Sequence, residues 1–205
     1  EHSLYGGYTY STDSTEYDSL FNPDRQNGWT LGQRWRLSSQ VNLFNESQYL
    51  KTPNESGLAH TSGMDFYPSQ GWTTGFTLQS GELTNSEGGV VDRRAVSVNG
   101  GRTSPDTDWN SKLEWRRDTG AEQREQWVST NRFTHKFNES WRVAARLNYS
   151  DTDDELDPAA GAKFIEGNFG FAWRPWNSTR WGVFGRYTYL YDLSTLEQVN
   201  GVDYD

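Results

Sequence analysis

WRVAARLNYSDTDDELD, residues 141–157, changes character halfway along its length. Its first half alternates: Trp141, Val143, Ala145, Leu147 and Tyr149 occupy every second position, with Arg142, Arg146, Asn148 and Ser150 between them. A period of two is the signature of a strand whose faces meet different surroundings. The second half is a burst of carboxylates. An aromatic at each end of one face, arginines on the other and an acidic segment directly after must be satisfied together.

The same figure recurs along the chain. GWTLGQRWRL sets Trp29, Leu31, Trp35 and Leu37 against Thr30, Gly32, Arg34 and Arg36, and Ser38-Ser39 then turns into QVNLFNESQY. A second hairpin turns at Pro68 to Gln70, where proline suits a turn and not a central strand. Three more turn near Ser104 to Thr107, at Asn138 to Ser140 and at Pro175 to Thr179. With the N-terminal SLYGGYTYST this predicts about eleven strands, each roughly ten residues long. Between the hairpins lie more polar connections, TDSTEYDSLFNPDRQN, LKTPNESG, GELTNSEGG, DTGAEQ and DTDDELDPAAG, read as long loops. Tight turns then collect at one end of an up-and-down sheet and long loops at the other. FNES occurs twice, at residues 44–47 and 137–140, once in a strand and once in a turn, so it is not read as a repeat.

Composition limits the surroundings such strands can have. The 205 residues are 33% hydrophobic, and exchanging the 11 Tyr for the 20 Gly to match the usual apolar set gives about 38%, against about 45–50% for soluble domains. Mean hydropathy is −0.94. The 15% of aromatic residues argue against disorder, which is poor in aromatics. Strands in globular proteins run about 5 to 6 residues, whereas a tilted strand crossing a bilayer needs about 9 to 11. A transmembrane barrel has apolar residues and aromatic girdles outside and polar residues inside, so it needs little apolar core. The fold class expected is therefore all-β, an antiparallel up-and-down transmembrane β-barrel with about 11–12 strands in this chain. The competing expectation is a soluble, aromatic-rich β-sandwich that binds carbohydrate.

In the barrel, Trp29, Trp72, Trp109, Trp141, Tyr149, Trp181 and Tyr189 are the expected membrane-interface aromatics, since amphipathic rings settle at headgroup level. Arg34, Arg36, Lys112, Glu114, Arg116, Arg142, Arg146, Glu166 and Arg186 are expected to face the lumen. There they either line an aqueous path, with a cationic surplus favouring anions, or close it by ion pairing, for example Arg142 and Arg146 with Glu166.

No catalytic, cofactor or metal site is expected. His2, His60 and His135 are far apart, and no GxSxG, HExxH or phosphate-binding loop is present. His135 near Thr134 and Ser140 is the one catalytic arrangement the sequence leaves open. Asp151, Asp153, Asp154, Glu155 and Asp157 offer hard ligands for Ca²⁺, but the glycine and glutamate an EF-hand needs at its sixth and twelfth positions are Leu156 and Ala162. The burst is read instead as a hydrated extracellular loop. A net charge of −9 disfavours nucleic acid as a partner.

Together, the alternating strands, Trp after tight turns, Tyr before acidic segments, absence of Cys and acidic pI near 4.8 resemble Gram-negative outer-membrane β-barrel proteins. More narrowly, EHSLYGGYTYSTD, GWTLGQRWRLSSQVNLFNESQYLK and EGNFGFAWRPWNSTRWGVFGRYTYLYDLS look like the C-terminal barrel of large proteobacterial surface proteins. The resemblance implies location in the bacterial cell outer membrane, with outer-membrane lipid and lipopolysaccharide as partners. It also implies partner subunits or further domains of the same chain, and a porin-like transport or surface-anchoring role without enzyme activity. Such barrels typically end in an aromatic and use even strand numbers. The close at GVDYD and the count of eleven give the expectation of one barrel domain, residues 1–205, cut from a longer chain, with a twelfth strand starting near Val202 or closing strands beyond.

Overall fold

The computed structural model describes residues 1–9, 27–51, 55–156, 161–177 and 180–192. Eleven strands follow one another in chain order: β1 His2–Thr9, β2 Asn27–Arg36, β3 Val41–Lys51, β4 Glu55–Phe66, β5 Trp72–Asn85, β6 Val90–Thr103, β7 Thr107–Gly120, β8 Arg124–Lys136, β9 Trp141–Asp154, β10 Ala162–Trp173 and β11 Val183–Asp192. Each pairs antiparallel with its neighbours in sequence, giving one up-and-down sheet in which β1 and β11 are the edges. Among the described residues the sheet is not closed. A single sheet replaces the soluble sandwich, because no second layer packs across it among the described residues.

The turns sit where their chemistry puts them. Asn138 Oδ1 accepts from the backbone N–H groups of Ser140 and Trp141 at 2.8 and 2.9 Å, holding the chain reversal before β9. Ser104 Oγ accepts from Thr107 N at 3.0 Å in the same way. Gly71 in the β4–β5 turn and Gly88 in the β5–β6 turn have φ of 78° and 83°, the left-handed region that a Cβ disfavours.

The connections at the other end are shorter than their polarity predicts. GELTN, DTG and DTDD, read as loop from composition, continue β5, β7 and β9, each 14 residues long. Fourteen residues at about 3.3 Å each span about 46 Å along the strand, more than a tilted crossing of a ~25 Å apolar band requires. Hydrogen-bonded ladders therefore carry on past the band, where polar side chains can pair across strands. The long loop expected after β1, the residues of LKTPNESG at 52–54, Asp157 and the strand expected near Val202 lie outside the described residues.

Paired residues share a face, so the register sorts every side chain. One face carries Trp35, Met64, Phe76, Val98, Leu113, Leu147, Phe169 and Tyr187; the other carries Arg34, Gln48, Thr77, Ser97, Glu114, Arg146 and Arg186. Buried apolar side chains among the described residues are few: Leu83, Val91 and Ala95, all on the polar face. The aromatic and aliphatic face is exposed along its length. In water that surface would cost about 25 cal/mol per Å², so the sheet needs an apolar medium on that side.

The strands are inclined to the aromatic belts. A register row that starts at Trp35, next to the β2–β3 turn, passes through Leu43, Met64, Phe76, Val98, Leu113 and Ser129 to Tyr149, towards the opposite end of β9. Such stagger is what strand tilt in a barrel wall produces.

Candidate functional site: a cationic inner face and two aromatic belts

All nine residues expected in the lumen lie on the polar face: Arg34 and Arg36 on β2, Lys112, Glu114 and Arg116 on β7, Arg142 and Arg146 on β9, Glu166 on β10 and Arg186 on β11. They are not one cluster. Glu114 bridges its own strand, meeting Lys112 Nζ at 2.7 Å and Arg116 Nη2 at 2.8 Å. Glu166 does not close on Arg142 or Arg146. Its two carboxylate oxygens accept instead from Asn148 Nδ2 at 2.9 Å and Asn168 Nδ2 at 2.8 Å.

The structure brings together a row that sequence spacing did not reveal. Asn110, Arg132, Arg146 and Asn168 are successive cross-strand partners on β7 to β10, and Arg186 on β11, the partner of Gly170, reaches diagonally to Asn168. Arg132 was missed because a single strand shows its faces but not its height relative to its neighbours. Arg146 Nε donates to Asn148 Oδ1 at 3.4 Å and Arg186 Nη2 to Asn168 Oδ1 at 2.9 Å. Each guanidinium carries five N–H groups and hydrogen-bonds here to a neutral amide oxygen, and the Glu166 carboxylate in the same cavity offsets only part of the charge of the three arginines. A cavity of about 360 Å³ opens over Arg132, Arg146, Glu166, Asn168 and Arg186.

Of the seven expected interface aromatics, Trp29, Trp72, Trp109, Trp141, Tyr149 and Tyr189 lie on the apolar face, and Trp181 is exposed just before β11. Trp72 and Trp109 meet edge-on at 6.3 Å, and Trp141 lies 6.2 Å from Trp173, all at the tight-turn end. Trp29 stacks on Tyr49 at 6.3 Å towards the other end. Trp35, Trp115, Trp127 and Trp173 share this face, at heights that alternation within one strand does not specify.

The apolar face is interrupted at mid-height. Asn45 and Ser47 lie between Leu43 and Tyr49 on β3, and His60 and Ser62 between Leu58 and Met64 on β4. They satisfy one another: Asn45 Nδ2 donates to Ser62 Oγ at 2.6 Å, and Ser47 Oγ lies 2.8 Å from His60 Nδ1. Ser111 similarly bonds Asn131, whose amide donates to Ser129 Oγ at 3.0 Å.

The other candidates disperse. His135 stacks with Phe133 and contacts Thr107 Oγ1 at 2.8 Å, while Thr134 points to the opposite face. In the carboxylate burst, Asp151 and Asp153 share one face and Asp154 the other. Lys163 Nζ approaches Asp151 at 3.0 Å and Arg124 Nε approaches Asp154 at 3.6 Å.

No protein-family model and no curated protein sequence matches the chain. Among solved structures it is similar to OccAB3 of Acinetobacter baumannii, with TM-score 0.51 and 14% identity over 81% of this chain and 50% of that one. The chain has the fold of an outer-membrane β-barrel. OccAB2 of the same organism gives 0.49 at 8% identity over 81% of this chain and 49% of that one. OmpT, an outer membrane protein of Vibrio cholerae, gives 0.43 at 7% identity over 94% and 85%. The barrel segment thus spans about half the length of the two Acinetobacter proteins.

Proposed function

We propose that this chain forms much of the wall of an outer-membrane pore that passes small anionic solutes. The apolar face lies against lipid and the polar face lines water. The observation that supports this reading is the register row Asn110, Arg132, Arg146 and Asn168, with Arg186 of the next strand hydrogen-bonded to Asn168. Arg132 and Arg146 are direct cross-strand partners, and like charges so placed repel unless water or a passing anion screens them. A wall that served only as an anchor would have no use for that charge. Charged rings of one sign set the selectivity of pores.

Closure follows from strand count. In a sheet of eleven described up-and-down strands, β1 and β11 run parallel, so fully antiparallel closure takes at least one strand beyond them. Unpaired edge groups in hydrocarbon cost several kcal/mol each, so both edges require partners. Further strands of one longer polypeptide supply them in this proposal.

The test is conductance of the full-length protein in a planar bilayer under a salt gradient. A reversal potential with the sign of anion preference is expected. A bilayer that stays sealed would leave an anchoring role and remove the pore.

A further inference from the structure

On the apolar face, one register row crosses from mid-height to the end of the belt: Ser47, His60, Ser80, Arg94, Arg117 and Glu125. Arg94 and Arg117 are direct partners on β6 and β7, both exposed, and neither has an ion pair or hydrogen bond among the described residues. Glu125, directly across from Arg117, accepts instead from Trp115 Nε1 at 2.8 Å. Two facing guanidiniums repel, and since neither is bonded to the carboxylates of Glu125, Glu82 or Asp92 around them, an anion bridging the two relieves that repulsion.

Their height says where that anion comes from. Trp115 and Trp127 are partners in the adjacent row on the bilayer side, and such rings mark headgroup level. Below them the same face is apolar, with Leu78 beside Val96 and Phe76 beside Val98 and Leu113. Beside Arg94 lies an open groove of about 610 Å³ that Tyr49, His60, Ser80, Glu82 and Asp92 also line. Guanidinium groups bind phosphate in bidentate fashion, and carboxylates and serine hydroxyls accept from sugar hydroxyls.

We propose that this outward patch binds a phosphorylated saccharide headgroup, with phosphate on Arg94 and Arg117, hydroxyls on Glu82, Asp92 and Ser80, and acyl chains on the apolar strip below. The occupant is an outer-leaflet phosphoglycolipid. The inference rests on the apolar face lying in the membrane, but not on the lumen conducting.

The experiment equilibrates full-length protein in mixed micelles with labelled lipopolysaccharide, with phosphatidylcholine and inorganic phosphate as competitors. The R94Q/R117Q variant is expected to lose affinity about tenfold or more, and R117Q alone to lose less. Arg102→Gln, at the tight-turn end of the same face and stacked over Trp72 at 5.2 Å, should leave binding unchanged. Neither competitor should displace the glycolipid. Unchanged affinity in R94Q/R117Q overturns the site, and full displacement by inorganic phosphate overturns its lipid occupant. Heat-dependent gel mobility reports folding; if R94Q/R117Q does not fold, R94K/R117K replaces it, and wild-type affinity there is the overturning result. Failure of the membrane reading is separately visible as wild-type protein that does not insert into vesicles.

Discussion

Arg93 on β6 grips both carboxylate oxygens of Asp118 on β7, Nε at 2.9 Å and Nη2 at 3.0 Å, and Asp118 is only 2% exposed. The pair sits on the polar face near the end away from the tight turns, beside the buried Val91 and Ala95. Removing one partner strands a buried charge, while replacing both by apolar groups avoids that penalty. Asp118→Ala should therefore destabilise the folded barrel by about 3–5 kcal/mol. R93M/D118L should cost clearly less, as measured by urea unfolding in lipid vesicles.

The cationic row makes a prediction about sign. With Arg132 and Arg146 both changed to Glu, the centre of the row becomes acidic while Asn110 and Asn168 remain. The reversal potential of R132E/R146E should shift towards cation preference, and raising the salt concentration should shrink the difference because screening acts on exposed charges. An unchanged potential would place these residues off the conducting path.

How much of this could be read in sequence depends on which periodicity carried it. Alternation within a strand assigns faces, so it separates Arg34, Lys112 and Arg146 from Trp29, Trp109 and Trp141 without any knowledge of strand pairing. Turn chemistry at Asn138 and Pro68 fixed where strands end on one side. Heights across strands are set by stagger, which leaves no mark in a single sequence, so Arg132 beside Arg146 and Arg94 beside Arg117 emerged only from pairing. The acidic segments were read as loop because polarity usually marks loops. Past the apolar band, however, ladders such as Asp151 with Lys163 keep polar residues in strands.

The mid-height polar pair on the apolar face has a testable cost. Asn45 and Ser62 satisfy each other across β3 and β4, so removing one alone leaves an amide unpaired in hydrocarbon. Ser62→Val should destabilise by about 1–3 kcal/mol. N45L/S62V should be neutral or stabilising, since neither polar group then remains. A double variant worse than the single would mean that something other than lipid covers this stretch.

The last prediction concerns acid. Asp151 and Lys163 lie beyond the belt, where Tyr149 hydroxyl donates to Asp151 at 2.6 Å and Lys163 ammonium at 3.0 Å. The Tyr149 hydrogen bond, then that of Lys163, holds the Asp151 carboxyl below its ordinary range. Lys163 is held above its ordinary range by the hydrogen bond to Asp151 first. A depressed carboxylate lends stability above its unfolded pKa and loses it as pH falls through the folded one; a raised amine lends stability below its unfolded pKa and loses it as pH rises through the folded one. The cluster therefore supports the β9–β10 ladder across neutral pH and fails first in acid, below about pH 4. Asp151→Asn should lower the thermal midpoint slightly at pH 7 and flatten its fall between pH 5 and pH 3, about the carboxylate range. Both partners are partly exposed, so the effect at neutral pH should be small and should weaken further in high salt. If wild type and Asp151→Asn keep parallel acid profiles, Asp151 contributes nothing to the pH dependence and the ladder is held by its backbone alone.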